Sequence, residues 1–105
     1  MKTLPWLLEY FLQDCLDWQT AFSVKKMFWW YGIYKNGIIF AIYAFDQIFF
    51  KTSSENLQDF LERDAKIFSY SRQGKIQTIR YYSLPEEIME NHDELKKWVE
   101  KSLKA

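Results

Sequence analysis

The chain is short of the residues that several common designs require. It has one cysteine, Cys15, and one histidine, His92, far apart in the sequence, so no disulfide can form within it and no four-ligand zinc site can be built from thiolates and imidazoles. A reducing cytoplasm is the expected compartment. Its three glycines, Gly32, Gly37 and Gly74, never cluster, which excludes a glycine-rich phosphate loop. No stretch approaches the roughly 20 apolar residues of a membrane span. The apolar start is interrupted by Glu9, Gln13, Asp14 and Asp17 and has no small-residue cleavage site, so no secretion signal is expected. Net charge is also missing, with 14 basic residues against 14 acidic ones.

Aromatic residues make up 20% of the chain and hydrophobic residues 49%, enough for a packed core and far from a disordered composition. A length of 105 residues suits one domain over 1–105, because two would each be too small for a core of their own.

Leu4, Leu8, Phe11, Cys15 and Trp18 recur at helical spacing opposite Glu9, Gln13 and Asp17, which predicts an amphipathic helix started by Thr3 and Pro5. From Val24 to Lys51 β-branched and aromatic residues dominate. Strands are expected near 24–34, 38–45 and 47–51, turning at Asn36-Gly37 and Phe45-Asp46. Thr52 and Glu55 are spaced as a capping box for a short helix that ends near Asp64, its apolar stripe formed by Leu57, Phe60 and Leu61. Two strands follow at 67–72 and 75–82 around Gln73-Gly74. Ser83 with Glu86, and Asn91 with Glu94, are spaced as two more capping boxes, so the last helical region is expected to break at Asn91 and to turn Leu95, Trp98, Val99 and Leu103 inward.

The expected order is α-β-β-β-α-β-β-α, in the α+β class: a two-layer sandwich with an antiparallel five-stranded sheet and helices on one face. Charge is shared unevenly between the layers. The strands carry Lys25, Lys26, Lys35, Arg72, Lys75 and Arg80 with little acid, whereas the helices carry most of the carboxylates. One sheet face stays open in such a fold, so a basic, aromatic sheet is a candidate surface for an acidic partner. Lysines at strand edges also discourage sheet-to-sheet aggregation, which accounts for the same residues without a partner.

Trp29 and Trp30, if both lie in a strand, point to opposite faces. One is then core, and the other, beside Lys25, Lys26 and Tyr31, would suit a protein hot spot or a base-stacking platform, unless both rings only fill the core or its edge. KNGIIFAIY partly resembles the aromatic strand of RNA-recognition folds, but the element order differs from theirs. Nothing suggests catalysis. His92 lacks a second imidazole or a nucleophile beside it, Glu86 and Glu87 suit the first turn of a helix, and Cys15 lies on an apolar stripe. No cofactor is expected.

Taken in order, KKMFWWYGIYKNG from Lys25 to Gly37, then IIFAIY, IFFKTSSEN, FSY, YYSLPEE and DELKKWVEKSL resemble the N-terminal domain of the TfoX/Sxy family, from about Val24 to Leu103. The resemblance implies an α-β(3)-α-β(2)-α fold like that of secretion chaperones and a non-enzymatic role in the bacterial cytoplasm. It also implies regulation of natural competence at promoters shared with the cyclic-AMP receptor protein. Where the family has two glycines before Tyr31-Gly32 this chain has Trp29 and Trp30, so the close backbone approach those glycines permit is expected to be lost or replaced. The helix-hairpin-helix-like second domain of full-length regulators does not follow Leu103, so a stand-alone N-terminal domain is expected.

The leading expectation is therefore a protein-interaction module, monomeric or homodimeric, in transcriptional regulation. Direct nucleic-acid binding through the basic strands is one alternative, and a dimeric chaperone-like scaffold is another. No membrane partner is expected.

Overall fold

A computed structural model describes residues 5–16 and 21–105. The first helical stretch is α1 (Trp6–Tyr10), which runs directly into a π-helical turn (Phe11–Cys15). Strands β1 (Phe22–Met27), β2 (Trp30–Lys35), β3 (Ile38–Ala44) and β4 (Gln47–Lys51) follow as a meander. After them come α2 (Leu57–Leu61), β5 (Ile67–Arg72), β6 (Lys75–Ser83), α3 (Glu86–Met89) and α4 (His92–Leu103). The six strands form one antiparallel sheet in the order β1-β2-β3-β4-β6-β5, which leaves β1 and β5 as its edges.

The expected five strands are thus six, because the segment read as one strand over 24–34 folds back on itself at Phe28-Trp29. None of the usual turn residues stands there. The tight reversal is made instead by Phe28 in the left-handed region, at φ +55°, where a residue with a Cβ is strained by about 1–2 kcal/mol. Asn36-Gly37 and Gln73-Gly74 have residues suited to such turns, whereas Phe45, at φ +52°, carries the same strain as Phe28. Asn36-Gly37, Phe45-Asp46 and Gln73-Gly74 each have positive φ at both positions, the pattern whose twist matches that of the flanking strands.

The helices cover one face of the sheet. Leu8, Phe11, Cys15 and Leu16 from the N-terminal region, Phe60 from α2, Ile88 from α3 and Leu95, Trp98 and Val99 from α4 are all buried against Ile33, Phe40, Ala41, Tyr43, Ile48 and Phe50. Each leucine, isoleucine, valine or phenylalanine among them contributes roughly 1.5–3 kcal/mol by leaving water. Phe40 and Ala41 are consecutive yet share this face. The register slips at this point, with Ile33 opposite Ala41 and Tyr34 opposite Ile39, so Phe40 is the extra residue of a bulge. Phe50 then meets Phe40 edge-on at 5.5 Å, and Phe60 meets Trp98 at 4.6 Å.

Two of the three expected capping boxes do not form, because their hydroxyls serve the sheet. Thr52 Oγ1 donates to the Arg80 carbonyl at 2.9 Å, and Ser83 Oγ accepts the Lys66 N–H at 2.9 Å. The third forms by half: Asn91 Oδ1 accepts the Glu94 N–H at 3.2 Å, but the Asn91 N–H donates to the Ile88 carbonyl and not to Glu94, and the helical region breaks there. Leu61, expected on an inward stripe, is exposed, and Asp64 ends the α2 turn in the left-handed region. Thr3, Leu4, Asp17 and Trp18 lie outside the described residues.

Candidate interaction cleft

The face of the sheet without helices has an apolar cluster of its own. Ile42, Ala44, Phe49 and Phe68 are buried there, with Trp30, Ile39, Tyr70, Ile79 and Tyr81 packed around them. They come from the positions of β2, β3, β4, β5 and β6 that point away from the helices. Burial pushes the Tyr81 phenol above its ordinary pKa.

This face is concave. β4 ends at Lys51, opposite Tyr81, so the outer part of the β5–β6 hairpin extends beyond it. The hairpin bends at an irregularity where Ile67 pairs with Tyr82 but Phe68 pairs with Ile79, which leaves Arg80 and Tyr81 as extra residues on β6. The bend brings the hairpin to the β1–β2 turn. Trp29 packs against Phe45 at 5.0 Å, Phe68 at 6.2 Å and Tyr70 at 6.5 Å between ring centroids. β2 and β5 are four strand spacings apart, about 19 Å in a flat sheet, so these contacts require strong curling.

Between turn and hairpin lies a cleft of ≈ 470 Å³ lined by Phe28, Trp29, Trp30, Phe68, Tyr70, Ser71, Arg72 and Ile79. The lining is mostly aromatic, and Arg72 is its one charged residue among those described. Phe28 stands at the rim, 86% exposed, and Trp29 is 51% exposed. Lys75 pairs directly across from Arg72 near the hairpin tip. Among the described residues neither cation takes part in an ion pair.

The structure separates the nine residues that the sequence singles out. Trp29, Trp30 and Arg72 line the cleft, and Lys75 adjoins it. The two tryptophans do not point to opposite faces, because Trp29 sits in the turn and not in a strand, and both rings serve the same face. Lys25 is exposed on the edge strand β1, opposite Gly32. Tyr31 packs on the helix-side core, with the Lys26 ammonium 5.8 Å from its ring centroid. Lys35 is bound to Glu100 of α4 at 3.0 Å. Arg80 lies beside α2 in a separate depression with Thr52, Ser53, Ser54, Leu57, Ile67 and Tyr82. The basic strands therefore do not add up to one basic face.

Phe28, Phe68, Tyr70 and Ile79 belong to the cleft but were not picked out by the sequence reading. The alternation Phe68, Tyr70, Arg72 along β5 is the signal that places three of the lining residues on one face.

Two of the groups considered for chemistry, Cys15 and Glu87, have structural roles. Cys15 is buried, which pushes its thiol up to about 11 and keeps it protonated at neutral pH. Tyr10 donates to both carboxylate oxygens of Glu90 at 2.9 and 3.0 Å, tying α1 to the end of α3. Glu87 pairs with Arg63 at 3.5 Å. Among the described residues no three histidine, cysteine, aspartate or glutamate side chains are grouped to hold a metal, and no helix is long and apolar enough to cross a membrane.

No curated protein matches the chain. The family model of the TfoX N-terminal domain matches residues 14–105, from the π-helical turn through the whole sheet to the end of α4, and the chain belongs to that family.

Proposed function

We propose that this chain is a non-enzymatic binding module of bacterial transcriptional regulation, working in the cytoplasm by gripping a protein partner with the open face of its sheet. Membership of the TfoX N-terminal domain family supports a competence-related role. The observation that carries the mode of action is the aromatic cleft, where a strained turn holds Phe28 and Trp29 in solvent. Exposed aromatic residues around a preformed hollow are what protein interfaces use as hot spots.

Nucleic acid is the less favoured partner. Phosphate-binding surfaces gather their cations along one face, whereas here Lys35 is neutralised by Glu100 and Arg80 lies apart from Arg72 and Lys75. The cyclic-AMP receptor protein is the first partner to try, on the family's account.

An amide NMR titration tests the reading. The labelled protein is mixed in turn with a DNA duplex, a DNA single strand and the cyclic-AMP receptor protein, at low and moderate salt. We expect localised shifts at residues 28–30 and 68–72 with the protein partner. Salt-sensitive shifts spread over Lys25, Arg72, Lys75 and Arg80 with DNA, and none with protein, would overturn it.

A further inference from the structure

We infer that the cleft takes an acidic protein segment with one large apolar anchor, the anchor entering between Trp29 and Tyr70 while a neighbouring carboxylate meets Arg72 and Lys75. This deepens the proposed function and rests on it, since it specifies the chemistry of the partner.

Among the described residues Lys35, Arg63, Lys97 and Lys101 each hold a carboxylate at 3.0 to 3.5 Å on the helix side of the molecule. Arg72 and Lys75 hold none, and neither do Lys25, Lys26, Lys51, Lys66, Arg80, Lys96 and Lys104; what sets Arg72 apart is that it lines an aromatic hollow in which no acid stands among the described residues. An apolar hollow with one unneutralised cation in its wall, Arg72, and a second beside it, Lys75, favours a ligand that is apolar in the middle and negative beside it. A guanidinium is suited to grip a carboxylate through two parallel hydrogen bonds.

Shape points to a segment and not to a small molecule. Pockets for small ligands enclose most of the ligand's surface, but the rim here is low, with Phe28 86% exposed and Trp29 51% exposed. A hollow of ≈ 470 Å³ accepts a side chain or two and leaves the flanking chain in solvent. A second copy of this protein is a poor occupant, because a two-fold contact sets a patch against itself and the lining of this patch holds no acid, among the described residues, to meet Arg72.

The test uses the full chain and three capped peptides: a tryptophan flanked by aspartates and glutamates, the same peptide with alanine as the anchor, and the tryptophan peptide with lysine flanks. Backbone and indole N–H resonances are followed through each titration. Saturable shifts are expected at Trp29, Trp30, Tyr70 and Arg72 with the acidic tryptophan peptide, and binding about two- to tenfold weaker with lysine flanks, the size of effect two exposed charges give. In Arg72→Glu, a change at an exposed hairpin end, the preference should reverse while the resonances of Phe50 and Trp98 stay in place.

Equal binding of acidic and basic peptides, or binding that survives loss of the anchor, would sink the inference. So would indole-3-acetate matching the peptide, which would make the cleft a small-molecule site, or a concentration-dependent dimer that shifts Trp29. Peptide shifts on another face would remove the cleft assignment and leave the protein-binding function standing. That function fails separately, by the DNA outcome described above.

Discussion

The ring of Trp29, in the turn between the first two strands, lies 6.2 Å from that of Phe68 in the last strand of the sheet order. An aromatic contact therefore ties the two margins of the sheet together across its open face. Aromatic pairs of this kind contribute about 0.5–1.5 kcal/mol beyond their burial. Trp29→Ala should lower stability by about 1–2 kcal/mol. It should also speed amide exchange in the outer part of the β5–β6 hairpin more than in β3 or β4, as measured by native-state hydrogen exchange. Uniform loss of protection would mean that the contact does not hold the margins.

Gly32 makes room for a neighbouring ring. A Cβ there would come within 3.0 Å of Tyr34 Cε1, 3.1 Å of its hydroxyl and 3.2 Å of Ile39 Cδ1. Gly32→Ala should cost about 1–3 kcal/mol from overpacking. In a double-mutant cycle with Tyr34→Ala, removing the ring should recover most of that loss. Urea denaturation of the four proteins checks this, and strictly additive losses would show that the ring is not the obstacle.

Asn56 is buried, with Oδ1 accepting the Ser53 N–H at 2.7 Å and Nδ2 donating to the Lys51 carbonyl at 3.2 Å. Asn56→Ala should cost about 2–3 kcal/mol by leaving both groups without their partner. Its third contact, to Ser102 Oγ, is 3.5 Å long, so Ser102→Ala should cost less than about 1 kcal/mol. Thermal melts of the two variants would expose any reversal of that order.

Alkaline pH should unfold the protein in a defined window. Burial, then the hydrogen bond to Asp46, raises the Tyr43 phenol from 10.0 to about 12. Tyr10 is raised equally, mainly by its hydrogen bond to Glu90. The folded state holds these protons more tightly than the unfolded chain does. The stability they contribute is therefore complete below pH 10 and is lost as the pH rises towards about 12. Melting temperature followed across that range should fall less steeply in Tyr43→Phe than in the parent, and parallel curves would rule Tyr43 out as a cause.

Phe28 is exposed and strained at once, at φ +55°. Phe28→Gly relieves the strain, partly offset by the greater freedom of glycine in the unfolded chain. The variant should be no less stable, and more stable by up to about 1 kcal/mol, yet should bind the acidic tryptophan peptide more weakly. A stability loss in denaturant titration would assign the ring a packing role instead.

What the sequence disclosed depended on whether a signal was local. Asn36-Gly37 and Gln73-Gly74 mark hairpins because those residues tolerate the backbone that the turns need. Phe28-Trp29 gives no such mark, since FSVKKMFWWYGIY reads as unbroken strand texture and the turn is imposed by packing around it. Capping was legible at Asn91, whose side chain has no competing partner. It misled at Thr52 and Ser83, whose hydroxyls are taken by sheet backbone that is remote in sequence. The cleft was half visible, through Trp29, Trp30 and Arg72. The alternation of Phe68, Tyr70 and Arg72 marks its other wall as one face, but that this wall comes to stand against Trp29 could not be read from the sequence, because it does so only once the hairpin curls over the face.

The pairing of β4 with β6 spans only three residue pairs, Phe49 with Ser83, Phe50 with Tyr82 and Lys51 with Tyr81. Every other strand pair is a hairpin that can close by itself. The sheet is thus two locally assembled blocks, β1 to β4 and β5 with β6, joined along one short seam, and the cleft takes Trp29 from the first block and Tyr70 and Arg72 from the second. Neither block carries half a binding site that works alone. A partner held in the proposed cleft would therefore lie between the blocks and act as a clasp on the fold, and a seam that opened would release it before either hairpin unravelled.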